Sequence, residues 1–436
     1  MFPKSCHSGA RRAVSSFAMA MALGCGAVVA TGLAAPAAHA QENSKGFVTA
    51  YTSIMPTKKG EQPDWNAVKG QLGALEAAVG NEQDRYLAGQ IYLQAGSNLT
   101  DPALQRKGLE MMLASGKVAP EDIGRFQYFV GSIAINEGDY AQARTALQAS
   151  RDAGFTDEDI TGLIGETYMR EDNKKQAVTY LLGESRKAAA AGQTVPELWI
   201  ARALQGAYDS EMNAEAIAAA QMLVERYPTP RNFSSAVQIV NGASQYTPQA
   251  QLDLLRLLRL ADKLPLRQYF ALYIESADPR IMSNEVVDVL AEGLAAGEFS
   301  ASDTYYTEVK AIADGRTAQD RKDAPELVAE AKTKGDAASA LIAGDVNYSI
   351  DNFAEAERMY ALSVERGGAS KDTALTREGI AQVQQGKYAE AVSTFEGVAG
   401  ERATIAALWK AYAASKANQS PAAAPAPTTA AVPAES

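Results

Sequence analysis

The residue types that most often carry enzyme chemistry are concentrated at one end of this chain. Both cysteines, Cys6 and Cys25, and both histidines, His7 and His39, lie within the first forty of its 436 residues. If that segment is removed, the remainder has no thiolate nucleophile, no imidazole base and no Cys/His set for a metal. The chemistry left to the chain is that of carboxylate pairs and of noncovalent binding.

Carboxylates are abundant, and a pair of them could serve as the acid and the base of a glycosidase. The runs EDNKK, DEDI and ERAT, however, lie where hairpin turns and helix starts are expected, and acidic residues there stabilise a helix N-terminus. The stretch DVNYSIDNFAE from Asp345 has only fragments of a calcium loop. We therefore expect no catalytic residues and no metal site.

Two further catalytic patterns are also missing from the sequence. The tripeptide GES, Gly183 to Ser185, lacks the G-x-S-x-G pattern of a nucleophile elbow, and no histidine remains to activate the serine. Neither a G-x-x-x-x-G-K-[ST] nor a G-x-G-x-x-G phosphate-binding loop occurs. The sequence thus predicts no cofactor and no enzymatic activity.

The N-terminal segment has the order of features found in a secretory signal peptide. Lys4, Arg11 and Arg12 precede an apolar, Ala-rich run from Phe17 to Ala35, and Ala38-His39-Ala40 supplies the small residues that a signal peptidase needs. We expect cleavage after Ala40, export to the bacterial periplasm or beyond, and no integral membrane segment afterwards. Twin-arginine export and lipoprotein processing at Cys25 are weaker alternatives.

Charge excludes some classes of partner. The whole chain carries a formal charge of −11, and loss of the three basic residues in the signal leaves 38 Lys and Arg against 52 Asp and Glu, or −14. A nucleic-acid or anionic-lipid surface would require a basic footprint, so neither partner is expected. A hydrophobic content of 47% with many alanines favours a folded, helical chain.

One short phrase recurs along the chain. EGDYAQARTAL from Glu137, DNFAEAERMY from Asp351 and GKYAEAVSTF from Gly386 each run from a small or polar residue through an aromatic to Ala, with a large apolar residue four positions later. The phrases belong to a period of 33–35 residues, with glycine twelve residues before the alanine. A fixed period of this length is typical of stacked helical hairpins.

The phrase has a simple physical interpretation as the turn and crossing point of a hairpin. Gly138 suits a left-handed helix stop, and Asp139 can cap the next helix. On that helix Tyr140, Ala143 and Leu147 share one face. Alanine allows two helix axes to approach closely, and the large residue fills the space beside it.

With these units the sequence resembles the tetratricopeptide repeat family. The resemblance rests on the following positions: Gly131, Gly138, Tyr140, Ala143 and Leu147; Gly165, Tyr168, Ala177 and Leu181; Trp199, Tyr208, Ala216 and Pro228; Gly344, Phe353, Ala356 and Tyr360; Gly379, Gly386, Tyr388, Ala391 and Phe395. The signature Trp–Leu pair of the first helix is mostly absent. The resemblance implies an all-α solenoid of stacked antiparallel helical hairpins.

The resemblance also implies a binding groove lined by the first helices of the hairpins. Its exposed positions would be Arg125, Tyr128, Ser132 and Asn136, then Asp159, Glu166, Met169 and Arg170, then Gln205, Tyr208 and Asp209. Of these we select Arg125, Tyr128, Asn136, Glu166, Arg170, Gln205 and Tyr208 as candidate partner-binding residues. A mixture of Tyr, Arg and Asn suits adaptable recognition of a peptide.

The expected domain organisation follows from where the period is clear. A signal peptide covers residues 1–40, an irregular lead-in 41–62, N-terminal repeats 63–231, degenerate helical repeats 232–334, C-terminal repeats 335–414 and a disordered Pro/Ala-rich tail 415–436. Within the middle part, LDLLRLLRLADKL from Leu252 is interpreted as a buried solenoid helix, and the charged stretch RTAQDRKDAPE from Arg316 as a hinge.

The sequence therefore predicts an exported scaffold that binds a protein partner, whose identity it does not reveal, in the solenoid groove without covalent chemistry. Two alternatives from other classes stay open. One is a glycan- or peptidoglycan-associated enzyme with a carboxylate pair in an irregular middle segment. The other is a structural protein that assembles with copies of itself.

Overall fold

A computed structural model describes residues 42–55, 62–156, 159–368 and 370–419 of the protein. Over these residues the chain forms helices joined by short turns, with no β-strand. The predicted signal peptide, residues 1–40, lies outside the described residues, as do residues 420–436 of the predicted disordered tail. The start predicted for that tail, residue 415, is wrong, because residues 415–419 continue the last helix and Ser415 is buried in it.

The described residues fall into two compact units, and the boundary, between Thr167 and Tyr168, lies within one helix. The helices that begin in the first unit are α1 Lys45–Ile54, α2 Trp65–Ala77, α3 Glu82–Leu99, α4 Pro102–Ala114, α5 Pro120–Glu137, α6 Tyr140–Asp152 and α7 Ile160–Arg170.

The second unit contains thirteen further α-helices and one 3₁₀ turn over Gly400–Arg402. These helices are α8 Lys174–Ala190, α9 Glu197–Asp209, α10 Asn213–Arg226, α11 Pro230–Ala243, α12 Pro248–Ala261, α13 Arg267–Ala277, α14 Ser283–Ala295, α15 Thr304–Lys334, α16 Ala337–Ser349, α17 Phe353–Arg366, α18 Lys371–Gln384, α19 Tyr388–Glu396 and α20 Ala403–Gln419.

Helices pack mainly on their neighbours in the chain. In the first unit α3 packs on α4 and α5 on α6, and in the second each helix from α8 to α20 packs on the next one in the chain. The short turns make successive helices antiparallel. The prediction of an all-α solenoid of stacked helical hairpins is confirmed.

The turn chemistry predicted for the recurring phrase is also present. Gly138 ends α5 in the left-handed region, at φ 82°, and the Asp139 carboxylate accepts a hydrogen bond of 3.2 Å from the backbone N–H of Gln142. Glycine has no Cβ and therefore adopts this left-handed conformation without strain. The Asp139 carboxylate accepts a hydrogen bond from a backbone N–H in the first turn of α6, which has no partner within the helix. One turn thus stops a helix and starts the next.

The crossing point of the hairpin repeats with the same residue classes. In three of the repeats, a glycine on the first helix of the hairpin lies against a large side chain sixteen residues later, on the second helix. A Cβ on that glycine would lie 2.7, 2.5 and 2.6 Å from the facing side chain in the pairs Gly131–Leu147, Gly344–Tyr360 and Gly379–Phe395. Ala143, Ala356 and Ala391 are fully buried beside them. The close approach expected from the phrase is confirmed.

The long apolar segment in the middle of the chain is α12. Leu252, Leu254, Leu255, Leu257 and Leu258 are all completely buried, and they belong to the main hydrophobic core of the second unit. The interpretation as a buried solenoid helix is confirmed. No helix in the described ranges is both long enough and apolar enough to span a lipid bilayer.

Two local predictions are wrong. The segment expected to be an irregular lead-in contains α1, because Ser44 caps a helix whose Phe47 is buried against Val68 and Leu72. The charged stretch from Arg316 is not a hinge: it lies inside α15, where one turn buries Asp320 against Ser283.

The second unit also contains contacts over a long sequence distance. The last helix, α20, packs on α10 and α12 as well as on its neighbour α19. Trp409, fully buried on α20, donates a hydrogen bond of 2.8 Å to the backbone carbonyl of Asp253 on α12. The C-terminal repeats therefore fold back onto the middle helices of the same unit.

Candidate functional site

In the second unit, the first helix of each of several hairpins carries a half-buried tyrosine. Tyr208 lies on α9, Tyr269 on α13 and Tyr305 on α15, and Gln238 and Gly242 lie on the intervening α11. We call these five residues the tyrosine row. Each tyrosine is neither fully buried nor fully exposed, so part of each ring is available to another molecule.

Contacts between successive first helices hold the row together. The Tyr208 ring covers Gly242, where an added Cβ would lie 3.4 Å from Cε2. The Tyr269 hydroxyl donates to Gln238 Oε1 at 3.4 Å, and the Tyr305 hydroxyl donates to the Ala271 carbonyl at 3.5 Å. These are long hydrogen bonds, so a partner can replace them at little cost.

The pKa values of Tyr269 and Tyr305 are both raised above that of a free phenol. Burial raises the pKa of Tyr269, and the neighbouring Tyr208 raises it further. Burial and then the Glu275 carboxylate raise the pKa of Tyr305 to about 12. The row therefore offers ring faces and hydroxyl groups near neutral pH, which suits recognition of a peptide and supplies no nucleophile.

The predicted groove residues of the first unit have different environments. Arg125 is exposed and pairs with Asp122 at 2.6 Å, Asn136 is exposed near the end of α5, and Glu166 is half-buried on α7. Tyr128 is only 8% exposed, and its ring packs against Phe129 and Phe155. The prediction that Tyr128 is exposed is therefore wrong, because its ring is packed in the hydrophobic core.

The predicted groove residues of the second unit are exposed or half-buried. Arg170 is exposed at the end of α7, and Gln205 is exposed on α9, where its amide donates to Asp209 at 2.7 Å. Tyr208 is the predicted residue that the structure brings into the tyrosine row. The partner-binding role of all these residues stays a prediction.

Reasoning from the sequence missed Gln238, Gly242, Tyr269 and Tyr305. A signal was present for Gly242, which lies 34 residues after Tyr208 and so within the repeat period of 33–35 residues. Tyr269 and Tyr305 are 36 residues apart, one more than this period, and the phrase used to find repeats is absent from this part of the chain. Without that phrase, the two tyrosines could not be assigned to positions in a repeat.

A second notable feature is a buried cluster of charges below the surface of the second unit. At its centre the Asp253 carboxylate, fully buried on α12, accepts hydrogen bonds from three guanidinium groups. The members of this Asp253 cluster are Asp253, Arg256, Glu285, Asp345, Arg377 and Arg402.

The remaining bonds of the cluster are equally complete. Arg256 makes a bidentate pair with Glu285 at 2.8 and 2.7 Å, and Arg377 donates to both oxygens of Asp345 at 2.7 and 2.6 Å. Burial opposes the ionisation of Asp253 and Glu285, but the arginines outweigh it and hold the pKa of both carboxyl groups below the ordinary value. Neither group can supply a proton near neutral pH.

The structure of the middle segment, and of the stretches considered for chemistry, bears on the alternative that the protein is an enzyme. The middle segment is regularly helical from α11 to α15, so the irregular module that this alternative requires is not found there. Asp345, which the calcium-loop fragment contains, binds Arg377, and the GES tripeptide lies inside α8. Within the described ranges, no three His, Cys, Asp or Glu residues are grouped as metal ligands.

Comparisons with known proteins add little to this description. No protein-family model matches the sequence, and no curated protein matches it. Among solved structures the chain is similar to a chain of the APC/C hetero-tetramer Cut9-Hcn1, at 12% identity and a TM-score of 0.24. The match covers 75% of this chain and 66% of that one, slightly under two thirds. The fold class therefore rests on the packing of the helices described above.

Proposed function

We propose that the protein is a non-catalytic, protein-binding scaffold of the bacterial cell envelope. The observation that carries the proposal is the tyrosine row, which three first helices of the second unit present beside α11. Half-buried tyrosines give a large contact area at a low cost in side-chain entropy, and they are enriched where proteins bind one another.

The binding mode we propose is recognition of an extended or helical segment of a partner along the row. Ring faces of Tyr208, Tyr269 and Tyr305 would cover apolar side chains, while the hydroxyls and the Gln238 amide would bond to polar groups of the segment. The envelope setting is supported by the pattern of residues 1–40, which has the order of features expected of a signal peptide. If the segment is removed as proposed, mass analysis of the mature chain should find Gln41 at its start.

Peptide selection tests the proposal. A library of displayed peptides is selected on the chain from Gln41 onward, and the affinity of each recovered peptide is measured by calorimetry. The test variant changes Tyr208, Tyr269 and Tyr305 to Phe, which keeps the packing and removes the hydroxyls. We expect a loss of about tenfold or more in affinity, equivalent to one or two lost hydrogen bonds.

The matched control changes three half-buried tyrosines of the first unit, Tyr51, Tyr86 and Tyr140, to Phe. Both variants should retain the helical content of the parent. Equal affinities for parent, test variant and control would contradict a role for the row. Failure to recover any peptide would contradict the proposed binding mode.

A further inference from the structure

One segment of the chain has a composition that fits a surface lined by tyrosines. Residues 420–436, SPAAAPAPTTAAVPAES, follow directly after α20 and contain four prolines and one charged side chain, that of Glu435. The segment lies outside the described residues. Proline cannot continue a helix, and segments rich in proline favour the extended polyproline II conformation. Proteins commonly recognise such segments in grooves lined by aromatic rings.

The prolines of this segment are spaced for one face of a polyproline II helix. Pro421, Pro427 and Pro433 follow one another at intervals of six residues, and an alanine lies three residues after each of the first two. A polyproline II helix has three residues per turn and rises about 3.1 Å per residue. These prolines and alanines would therefore recur on one face about every 9 Å, and Pro425 would lie off that face.

The tyrosine row has a matching spacing. Contacts of the three tyrosines place α9, α11, α13 and α15 side by side in this order. Packed helices lie about 8 to 10 Å apart, which is close to one turn of polyproline II. Tyr208 and Tyr269 are two such steps apart, which matches the interval between successive prolines of the face, and Tyr305 is one step further.

The polar groups of the row also suit this conformation. A polyproline II helix has no internal hydrogen bonds, so its backbone carbonyls can accept bonds from a binding surface. The Tyr269 and Tyr305 hydroxyls donate only long bonds, of 3.4 and 3.5 Å, and the Gln238 amide donates to Ser234 Oγ at 3.1 Å with one of its two N–H groups. No member of the row is charged, so a segment with almost no charge loses no ionic partner there.

The segment starts beside the hairpins that carry the row. Helix α20 packs on α10, and α10 packs on α9, which carries Tyr208. The Tyr412 ring of α20 also meets Phe233, near the start of α11, edge to face with centroids 5.5 Å apart. Residues 420–436 would extend about 50 Å as polyproline II, more than the roughly 20 Å across two packed helices. Because the segment is tethered, its effective concentration at the row is of millimolar order, and weak contacts suffice.

We propose that residues 420–436 bind along the tyrosine row of their own chain in the polyproline II conformation, with Pro421, Pro427 and Pro433 facing the rings. This deepens the proposed function, on which it rests, because it identifies the segments that the row selects as proline-rich. The segment covers the row in the free protein, and a partner must compete with it.

Photo-crosslinking of the purified chain from Gln41 onward tests the contact. A photoreactive phenylalanine replaces Tyr269 or Tyr305, or Tyr86 of the first unit as a control, and mass spectrometry identifies the crosslinked peptides. We expect crosslinks from both row positions to residues 420–436 and none from the control. An equal mixture of unlabelled and ¹⁵N-labelled chains identifies the source of the segment. Crosslinks that join the two isotopes would assign the segment to a second copy and overturn the proposal, as would the absence of crosslinks to it.

Matched proline variants test the face of the segment. Pro427→Ala removes a ring from the proposed face and should lower the yield of these crosslinks about threefold or more. The control Pro425→Ala changes a proline only two residues away but off the face, and it should leave the yield unchanged. Since both positions follow the last described helix, neither variant should alter the thermal unfolding of the chain. Equal yields from the two variants would overturn the proposed face.

Peptide binding separates the failure of this proposal from the failure of the proposed function. Peptides selected on the parent are measured again on the variant Pro421→Ala/Pro427→Ala/Pro433→Ala. We expect their affinity to rise about threefold or more, because the competing segment is weakened. Unchanged affinity would overturn the proposed competition while the proposed function stands. Crosslinks to residues 420–436 without recovery of any peptide would support the contact and contradict the proposed function.

Discussion

Asp253 illustrates how a single residue organises the second unit. Its carboxylate is completely buried and is bound by Arg256, Arg377 and Arg402, which come from α12, α18 and the turn before α20. Taking one charge out of water is costly, and only a complete set of partners compensates it. The cluster therefore requires that the C-terminal repeats occupy one defined position against α12.

The substitution Asp253→Asn tests this dependence. It keeps the size of the side chain but leaves buried guanidinium groups without their shared counter-charge, so we expect a loss of about 3 to 5 kcal/mol in the free energy of unfolding. Urea denaturation measures the loss. The control Asp314→Asn breaks an exposed pair with Lys310 and should cost less than about 1 kcal/mol. Similar losses in both variants would contradict the role of the cluster.

A second single residue, Glu378, is predicted to make the stability of the fold depend on pH. Burial, and then the charge of Glu357, raises the pKa of this carboxyl to about 7 from its ordinary value of 4.5. Since the folded state binds the proton more tightly than the unfolded state, ionised Glu378 destabilises the fold. This destabilisation is absent below about pH 4.5 and is complete above about pH 7.

The variant Glu378→Gln should remove that pH dependence. We expect it to exceed the parent in the free energy of unfolding by about 1 to 2 kcal/mol near pH 8, after allowance for the partial exposure of the carboxyl group. Near pH 4 the two proteins should be equally stable. Urea denaturation at both pH values measures the difference, and a constant offset between the two proteins would contradict the raised pKa.

The helical hairpin is the element that the sequence specifies best. Turn, cap and crossing point are local features, so the phrase around Tyr140, Phe353 and Tyr388 is enough to predict them. Gly344 and Gly379 show the constraint directly, since Tyr360 and Phe395 occupy the space where their side chains would be. The same constraint explains why the phrase recurs with small residues in fixed positions.

The substitution Gly379→Ala tests the crossing point. The added methyl group would lie 2.6 Å from the Phe395 ring, so the helices must move apart, and we expect a loss of about 1 to 3 kcal/mol in the free energy of unfolding. The control Gly315→Ala lies within α15 where a Cβ meets no atom within 4 Å. There alanine should stabilise the helix by about 0.5 to 1 kcal/mol. Thermal and urea denaturation give both values, and the same sign for both variants would contradict the account.

At the scale of the whole molecule, the sequence predicts the class of fold but not the contacts between distant repeats. The pairing of Arg377 with Asp253 joins residues 124 positions apart, and no local pattern encodes such a pair. The tyrosine row is also assembled by stacking, from α9, α13 and α15 beside α11. Tyr208 could be proposed as a binding residue because it lies in a recognisable unit, whereas Tyr269 and Tyr305 could not.

Site-specific photo-crosslinking tests the central claim, that the tyrosine row is the partner-binding surface of a scaffold. A photoreactive phenylalanine replaces Tyr208, Tyr269 or Tyr305 in turn, and Tyr86 or Tyr140 of the first unit as controls, in the exported chain within intact envelopes. The account predicts that the three row positions crosslink to one and the same partner protein and that the control positions do not. Crosslinks only to other copies of this chain, or equal crosslinking at the control positions, would contradict it.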